Sequence, residues 1–327
     1  MAAASVLVTG GLGFLGRHVC AHLAAGGETV RVLARPSRRA SEEGSPYETV
    51  WGDIRDAAVV DRAVRGTEVV VHLAANFRHA GTDAREAGPI NVDGTRNVLD
   101  ACLRHGVRQL LNCSTVGVHG SVLAVPANEE TPFNPLDRYQ ATKLEAELAV
   151  LRRHRETGLP ATSLRPMPIV GPGDRRMIKL FRLIQKRRFV MIGSGETLFQ
   201  AAYVGDVADA FVLCLRNERT YGEAFIVGGE EYTTLNDLVA MIAAELGVPP
   251  PRLRLPLAPV LALARLCERG CAPLGIEPPL HGRRVSFFHS DRAFSIAKAR
   301  RVLGFAPLDL RQTLRATIGW YREQGWL

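Results

Sequence analysis

The sequence predicts an α/β fold, a doubly wound parallel sheet with helices on both faces and a smaller, mostly C-terminal lobe. Three observations carry this. Short β-branched runs alternate with helical stretches through the first half of the chain. Runs such as "VVVHL" are apolar without interruption, as strands buried on both faces must be. The alternation then stops after Pro166, where "RPMPIVGPGD" is too rich in Pro and Gly for a regular element.

In chain order, "SVLVTG" (5–10) is the first strand, and a helical pattern runs from Phe14 to Ala25. "TVRVLAR" (29–35), "ETVWGD" (48–53) and "EVVVHLAA" (68–75) are the next three strands, with helices around 56–65 and 89–105. "VRQLLNCST" (107–115) is the fifth strand, "DRYQATKLEAE" (137–147) lies in a long helix, and "PATSLRP" (160–166) is the sixth strand. The remainder mixes helices, short strands and prolines. Within it, 248–279 carries an almost uncharged apolar run, "PLAPVLALARL", with helical spacing.

The 327 residues suffice for one large domain or two coupled ones. A net charge of +8 is modestly basic, with no dense basic run interleaved with aromatics, so a nucleic-acid partner is not expected. Six cysteines, at 20, 102, 113, 214, 267 and 271, form no CxxC pair, and no histidine pair completes a zinc site near Cys267 and Cys271. Reduced thiols, no metal and a cytoplasmic setting are expected. The N-terminus enters a strand pattern without a basic and apolar leader, and no run approaches the ~18 apolar residues of a membrane span.

"TGGLGFLG" (9–16) lies between a strand and a helix, with Gly10, Gly13 and Gly16 three apart. Small residues there let the backbone approach a pyrophosphate at the positive end of the helix, and Phe14 and Leu15 lie in the same turn. At the end of the second strand, an acid would bind the ribose hydroxyls of NAD. The chain instead has Ala34 and Arg35, with Ser37, Arg38 and Arg39 after them. Arg35 suits a 2′-phosphate, so NADP is expected and NAD is the alternative. After the third strand, Asp53 of "GDIRD" could accept from an adenine amino group, with Ile54 packing on the ring; capping of the next helix is the alternative, and the two are not exclusive.

Tyr139 and Lys143 are one helical turn apart. Tyrosine titrates near pH ~10, too high for a base at neutral pH. A nearby ammonium and an oxidised nicotinamide favour the phenolate, so Tyr139 could exchange a proton with a substrate oxygen while hydride moves. Lys143 could also hold the nicotinamide ribose. Ser114 and Thr115, at the end of the fifth strand, offer hydroxyls where open parallel sheets place their ligands.

Together "TGGLGFLG", "GDIRD", "HLAAN", "NVDGTRNVL", "STVGVHG", "YQATK", "RPMPIVGPGD" and "YVGDVADA" resemble the extended short-chain dehydrogenase/reductases, in that family's order and over essentially the whole chain. The resemblance implies a Rossmann lobe over 1–169, with 204–230 returning to it, and a substrate lobe from 170–203 and 231–327. It implies a catalytic triad of Thr115 (rather than Ser114), Tyr139 and Lys143. Leu73, Ala74 and Ala75, and the backbone from Pro166 to Ile169, would line the cofactor. Dehydratases of the family carry Asp-Glu after the catalytic Thr, where this chain has Val116 and Gly117. Sugar-nucleotide epimerases usually place an arginine where this chain has Phe199, although Arg175, Arg176, Arg283 or Arg284 could compensate. The family's usual tyrosine in "RPMPIVGPGD" is Val170.

The C-terminal stretch looks like the 3β-hydroxysteroid dehydrogenase-like branch, with dihydroflavonol-reductase-like relatives. That branch implies hydride transfer between a secondary alcohol and a ketone on an apolar sterol-, steroid- or alkyl-ketone-like substrate. An NAD-dependent sugar-nucleotide epimerase is the alternative, and a cofactor-binding regulator without turnover is a third reading. The apolar segment would roof a substrate pocket, touch a membrane surface, or form an ordinary packed helix. A homodimer through the helices near 89–105 and 136–157 is implied, with a monomer as the alternative.

Overall fold

The computed structural model describes residues 5–37, 45–77, 86–122, 124–271, 276, 278–280 and 282–327, with the backbone alone at 283 and 284. Strand β1 (Val6–Thr9) is buried along its whole length. It is followed by α1 (Phe14–Ala25), β2 (Val30–Ala34), β3 (Glu48–Trp51), α2 (Ala57–Val64) and β4 (Val69–His72). Next come α3 (Gly94–Arg104), β5 (Gln109–Cys113), α4 (Arg138–Thr157) and β6 (Ala161–Pro166). The rhythm then changes, with β7 (Ile169–Val170), α5 (Ile178–Gln185), β8 (Met191–Ile192), β9 (Leu198–Phe199), β10 (Ala202–Tyr203) and α6 (Val204–Cys214). Strand β11 (Ala224–Val227) enters the main sheet beside β6. The chain ends with β12 (Thr233–Thr234), α7 (Leu235–Leu246), β13 (Arg254–Leu255), α8 (Leu257–Cys271), α9 (Gly282–Ser286), α10 (Ala297–Leu303) and α11 (Leu310–Glu323).

The main sheet has seven strands in the order β11-β6-β5-β4-β1-β2-β3, all parallel. Successive residues of a strand face opposite sides. Val6, Val8, Val69 and Val71 therefore pack with Val19 of α1 and Phe211 of α6, while Leu7 and Val70 pack with Val60 of α2 and Leu99 of α3. Both faces are covered, as the uninterrupted apolar runs require. A third cluster joins α5, α7 and α11 through Phe181, Ile242, Ile318 and Tyr321. The chain leaves β1 toward β2 and β3 and returns through β4 on the other side. That reversal opens a crevice at the carboxyl ends of β1 and β4.

One segment differs from expectation, and a second narrows the stated alternatives. The helix expected over 89–105 is divided, because Pro89–Asp93 forms a π-helical turn before α3. Gly94 N donates to Pro89 O, which widens the turn by one residue and brings Asn91 into the buried interior. The apolar stretch is helical in α8, yet Ala264 is its one buried residue, so it is not an ordinary packed helix.

Helix α4 is pinned to the sheet by a buried ion pair. Arg165 stands in β6, which is buried throughout, so its charge needs a partner. Its Nε lies 3.0 Å from Oε1 of Glu147 on α4, the two side chains being 3% and 0% exposed. Its Nη1 donates to Nε2 of His119 (3.2 Å) and to Glu129 O (3.1 Å). Glu147→Ala strands the guanidinium and should lower stability by about 3–5 kcal/mol in urea unfolding. The double variant Glu147→Leu/Arg165→Met should recover most of the loss, and a single-variant loss below about 1 kcal/mol would show the pair to be dispensable.

Candidate functional site

The turn after β1 is built by the absence of side chains. Gly10 has φ +73°, and a Cβ there would lie 2.9 Å from Ala74 N. A Cβ on Gly16 would lie 2.2 Å from Gly10 O, so any larger residue forces α1 off the strand. Gly13 caps α1 without a side-chain hydrogen bond, and the first turn holds no acid. Its amides are therefore left for an anion. Phe14 and Leu15 are half-buried at this end. Across the crevice Leu73, Ala74 and Ala75 are also half-buried, and Thr9 Oγ1 holds Ala74 N at 3.2 Å.

At the next strand ends, Ala34 is buried and Arg35 exposed. Asp53 is gripped by Arg55, at 2.9 Å to Nε and 2.8 Å to Nη2. That hydrogen bonding holds its carboxyl below the usual range, with Arg35 adding a weaker pull. The cap of α2 is Asp56, not Asp53. Ile54 is 6% exposed, and its side chain lies against Gly94 of α3. Arg38 and Arg39 lie outside the described residues, as do the side chains of Arg283 and Arg284.

Thr115 lies two residues past β5, and its Oγ1 accepts from Gly117 N (3.1 Å). A Cβ on Gly117 would lie 3.2 Å from Gln140 Cγ, so the Thr115 turn rests against the first turn of α4. Neighbouring Ser114 is buried, with its Oγ unpartnered among the described residues. Tyr139 is half-buried and edge-on to Phe77, with ring centroids 5.1 Å apart. One turn on, Lys143 is 3% exposed; burial pushes its pKa below 10.5, while Cys113 and Glu147 pull the other way. Pro166 is buried and Ile169 half-buried beyond β6.

Known proteins share this fold. The NAD dependent epimerase/dehydratase family matches residues 6–228. The chain belongs to that family. It is 30% identical to sterol demethylase protein B of Methylococcus capsulatus over 98% of this chain and 99% of that one. It is 29% identical to 3beta-hydroxysteroid-dehydrogenase/decarboxylase isoform 2 of Arabidopsis thaliana over 95% of this chain, which spans 61% of the plant protein. Among solved structures, gox2253 has a TM-score of 0.84 at 32% identity, covering 99% of both chains. Within the family this is an extended short-chain dehydrogenase/reductase of the 3β-hydroxysteroid-dehydrogenase-like branch, an NAD(P)-dependent oxidoreductase.

The residues present fit the family's dinucleotide. The glycine cradle would be filled by any Cβ, and the uncapped start of α1 suits a diphosphate. Gly10, Gly13, Gly16 and the segment Leu73–Ala75 would hold it, with Arg35 at its outer end.

Sequence reasoning missed what fixes these groups in place. His72 Nδ1 meets Thr9 Oγ1 at 2.8 Å and its Nε2 meets Thr95 Oγ1 at 2.9 Å. Thr95 Oγ1 donates to Asn91 O, and Asn91 Nδ2 donates to Thr142 Oγ1, which donates to Tyr139 O. Burial first, then Lys143, lowers His72 to about 3, so it stays neutral. A polar residue ending an apolar strand, as in "VVVHL", was the available signal. For Glu147 the signal was its spacing, since 139, 143 and 147 share one helix face.

Folded Lys143 releases its proton more readily than unfolded Lys143. The unfolded chain therefore binds more protons between the lowered pKa and 10.5, and stability climbs with pH through that window. Lys143→Met should be more stable than wild type at neutral pH by about 1 kcal/mol, with the advantage shrinking as pH rises. Chemical denaturation at pH 7 and 9.5 measures this, and an equal or growing advantage at the higher pH contradicts it.

Proposed function

We propose that this enzyme interconverts a secondary alcohol and a ketone on a fairly apolar, sterol- or steroid-like molecule. The observation that carries the reading is the buried Lys143 one turn from Tyr139, on the helix that meets the Thr115 turn beside the glycine cradle. When bound, the nicotinamide accepts or returns the hydride. In the oxidising direction Tyr139 Oη takes the hydroxyl proton as the carbonyl forms; in reduction it gives the proton back. The positive charge of Lys143 stabilises the negative charge that develops on the Tyr139 oxygen. The Thr115 hydroxyl orients the substrate oxygen. Apolar relatives' substrates, as named for the sterol and steroid enzymes, support the substrate class.

NADP is proposed over NAD, because exposed Arg35 follows β2 where an acid would select NAD; NAD is the alternative. A sugar-nucleotide epimerase is the weaker reading. Phe199 is 4% exposed and packs edge-on to Phe287, so that slot offers a diphosphate no cation. In a titration of wild type, Tyr139→Phe and Arg35→Ala with NADPH and NADH, Tyr139→Phe should bind cofactor like wild type and lose hydride transfer on steroid and ketone panels. Arg35→Ala should lose the NADPH preference. Turnover retained by Tyr139→Phe would sink the mechanism, and a wild-type preference for NADH would sink the NADP assignment.

A cytoplasmic setting, pairing of two copies and contact with a lipid surface belong to the same proposal. The outer faces of α3 and α4 form a groove of about 530 Å³ lined by Leu144 and Leu148, where a second copy would pack. Leu253, Leu255, Leu263 and Leu266 are 49–67% exposed on β13, α8 and the residue before β13, with Arg265 and Arg269 exposed beside them. Such a face suits the interfacial layer of an anionic membrane. No helix among the described residues is long and apolar enough to cross one. Sedimentation velocity should give a dimer, shifting to the lipid fraction with phosphatidylserine vesicles. A monomer, or no shift, removes the corresponding part.

A further inference from the structure

The loop after β7 closes on the glycine turn. Pro172 O lies 2.8 Å from His18 Nε2 on α1. A Cβ on Gly173 would lie 3.1 Å from the Phe14 ring. Asp174, 1% exposed, accepts from Arg176 Nε at 2.8 Å and from Nη2 at 3.2 Å. The same Nη2 donates to Ile169 O at 2.6 Å. Tyr321 Oη donates to Asp174 O at 2.7 Å, tying the loop to α11.

This arrangement fixes where the Arg176 cation stands. Its guanidinium carbon is 5.3 Å from the Phe14 ring centroid and 5.4 Å from that of Phe77. Phe14 opens the helix whose amides await an anion, and Phe77 meets Tyr139 edge-on. The guanidinium therefore bridges the anion cradle and the proposed catalytic tyrosine. Nε and Nη2 are spent on Asp174 and Ile169, while the two N–H groups of Nη1 have no hydrogen-bond partner among the described residues. Four contacts hold a planar cation whose leftover donors serve no fold contact. The side chain stays 46% exposed, so solvent or ligand reaches it.

We propose that Arg176 is a diphosphate-binding residue of the cofactor site, its Nη1 donors gripping the dinucleotide's phosphates as the 171–176 loop covers the start of α1. Charge-assisted, forked donation to phosphate is what a guanidinium does best, and Asp174 and the two rings remove the entropy of ordering it. This rests on the nicotinamide-dinucleotide reading above.

The test is a fluorescence titration of wild type, Arg176→Ala and Arg176→Lys with NADH, NADPH, ADP-ribose and AMP, beside thermal melts. Arg176→Ala should weaken both dinucleotides and ADP-ribose by roughly ten- to hundredfold and AMP, which has no diphosphate, by under about threefold. Arg176→Lys keeps the charge without the fork and should fall between. If Arg176→Ala does not fold, the Arg176→Lys ratio of ADP-ribose to AMP affinity decides alone. Unchanged dinucleotide affinity in the folded variants, or equal losses for AMP and ADP-ribose, overturns the proposal and leaves Arg176 as a loop staple. A wild type that binds neither dinucleotide overturns the functional reading and the proposal with it; a wild type that binds while the variants are unchanged overturns the proposal alone.

Discussion

The buried Arg165–Glu147 pair is the constraint on which the site depends. Two opposite charges, each almost without solvent, face each other between β6 and α4. Either one alone is costly in such surroundings, so the helix cannot slide or rotate on the sheet without exposing both to that penalty. Arg165 also donates to His119, four residues beyond Thr115, and stacks 5.1 Å from Phe133. His119 is kept neutral, first by burial and then by the Arg165 charge, which suits its role as acceptor. One guanidinium thus sets the helix of Tyr139 and Lys143 against the segment of Thr115.

The other side of α4 is set by a chain of neutral hydrogen bonds. It runs from Ala74 N through Thr9, His72, Thr95, Asn91 and Thr142 to the carbonyl of Tyr139. Each hydroxyl donates once along the chain. His72, neutral, accepts at Nδ1 and donates at Nε2, so one tautomer satisfies the whole series. The π-helical turn at Pro89–Asp93 puts Asn91 in reach of both Asn76 N (2.7 Å) and Thr142 (2.9 Å). A regular α-turn has one residue fewer per hydrogen-bonded loop and would move that side chain. The crevice wall and α4 are therefore positioned through one another.

Much of this was legible in the sequence, for identifiable reasons. The strands of the parallel sheet were visible because burial on both faces forces unbroken apolar runs, and α1 was bounded correctly by Gly13 and Gly26. Six of the seven sheet strands and the family assignment follow from those patterns and the motif order, whereas β11 was legible only as part of a segment returning to the lobe. The π-turn was not legible, since one extra residue per turn leaves the apolar spacing of 89–105 nearly unchanged. The contact of Ile54 with Gly94 was not legible, because an apolar residue after a strand does not name the element that packs on it. For α8 the alternatives stayed open in the sequence, because apolar spacing shows which residues share a face, not whether anything covers it.

Lys143 shows what this rigidity is for. A flexible ammonium would retreat to water, where its charge does little for a phenol one turn away. Here it is held at 3% exposure, where burial works against the charge and Glu147, one turn further, works for it. In such low-dielectric surroundings the charge acts strongly on whatever stands beside it. The carboxylate of Glu147 is meanwhile hydrogen-bonded to Arg165, so its charge is shared between the two cations. Tyr139, Lys143 and Glu147 thus form a graded series along one helix face, from a buried, ion-paired carboxylate through a buried amine to a half-buried phenol.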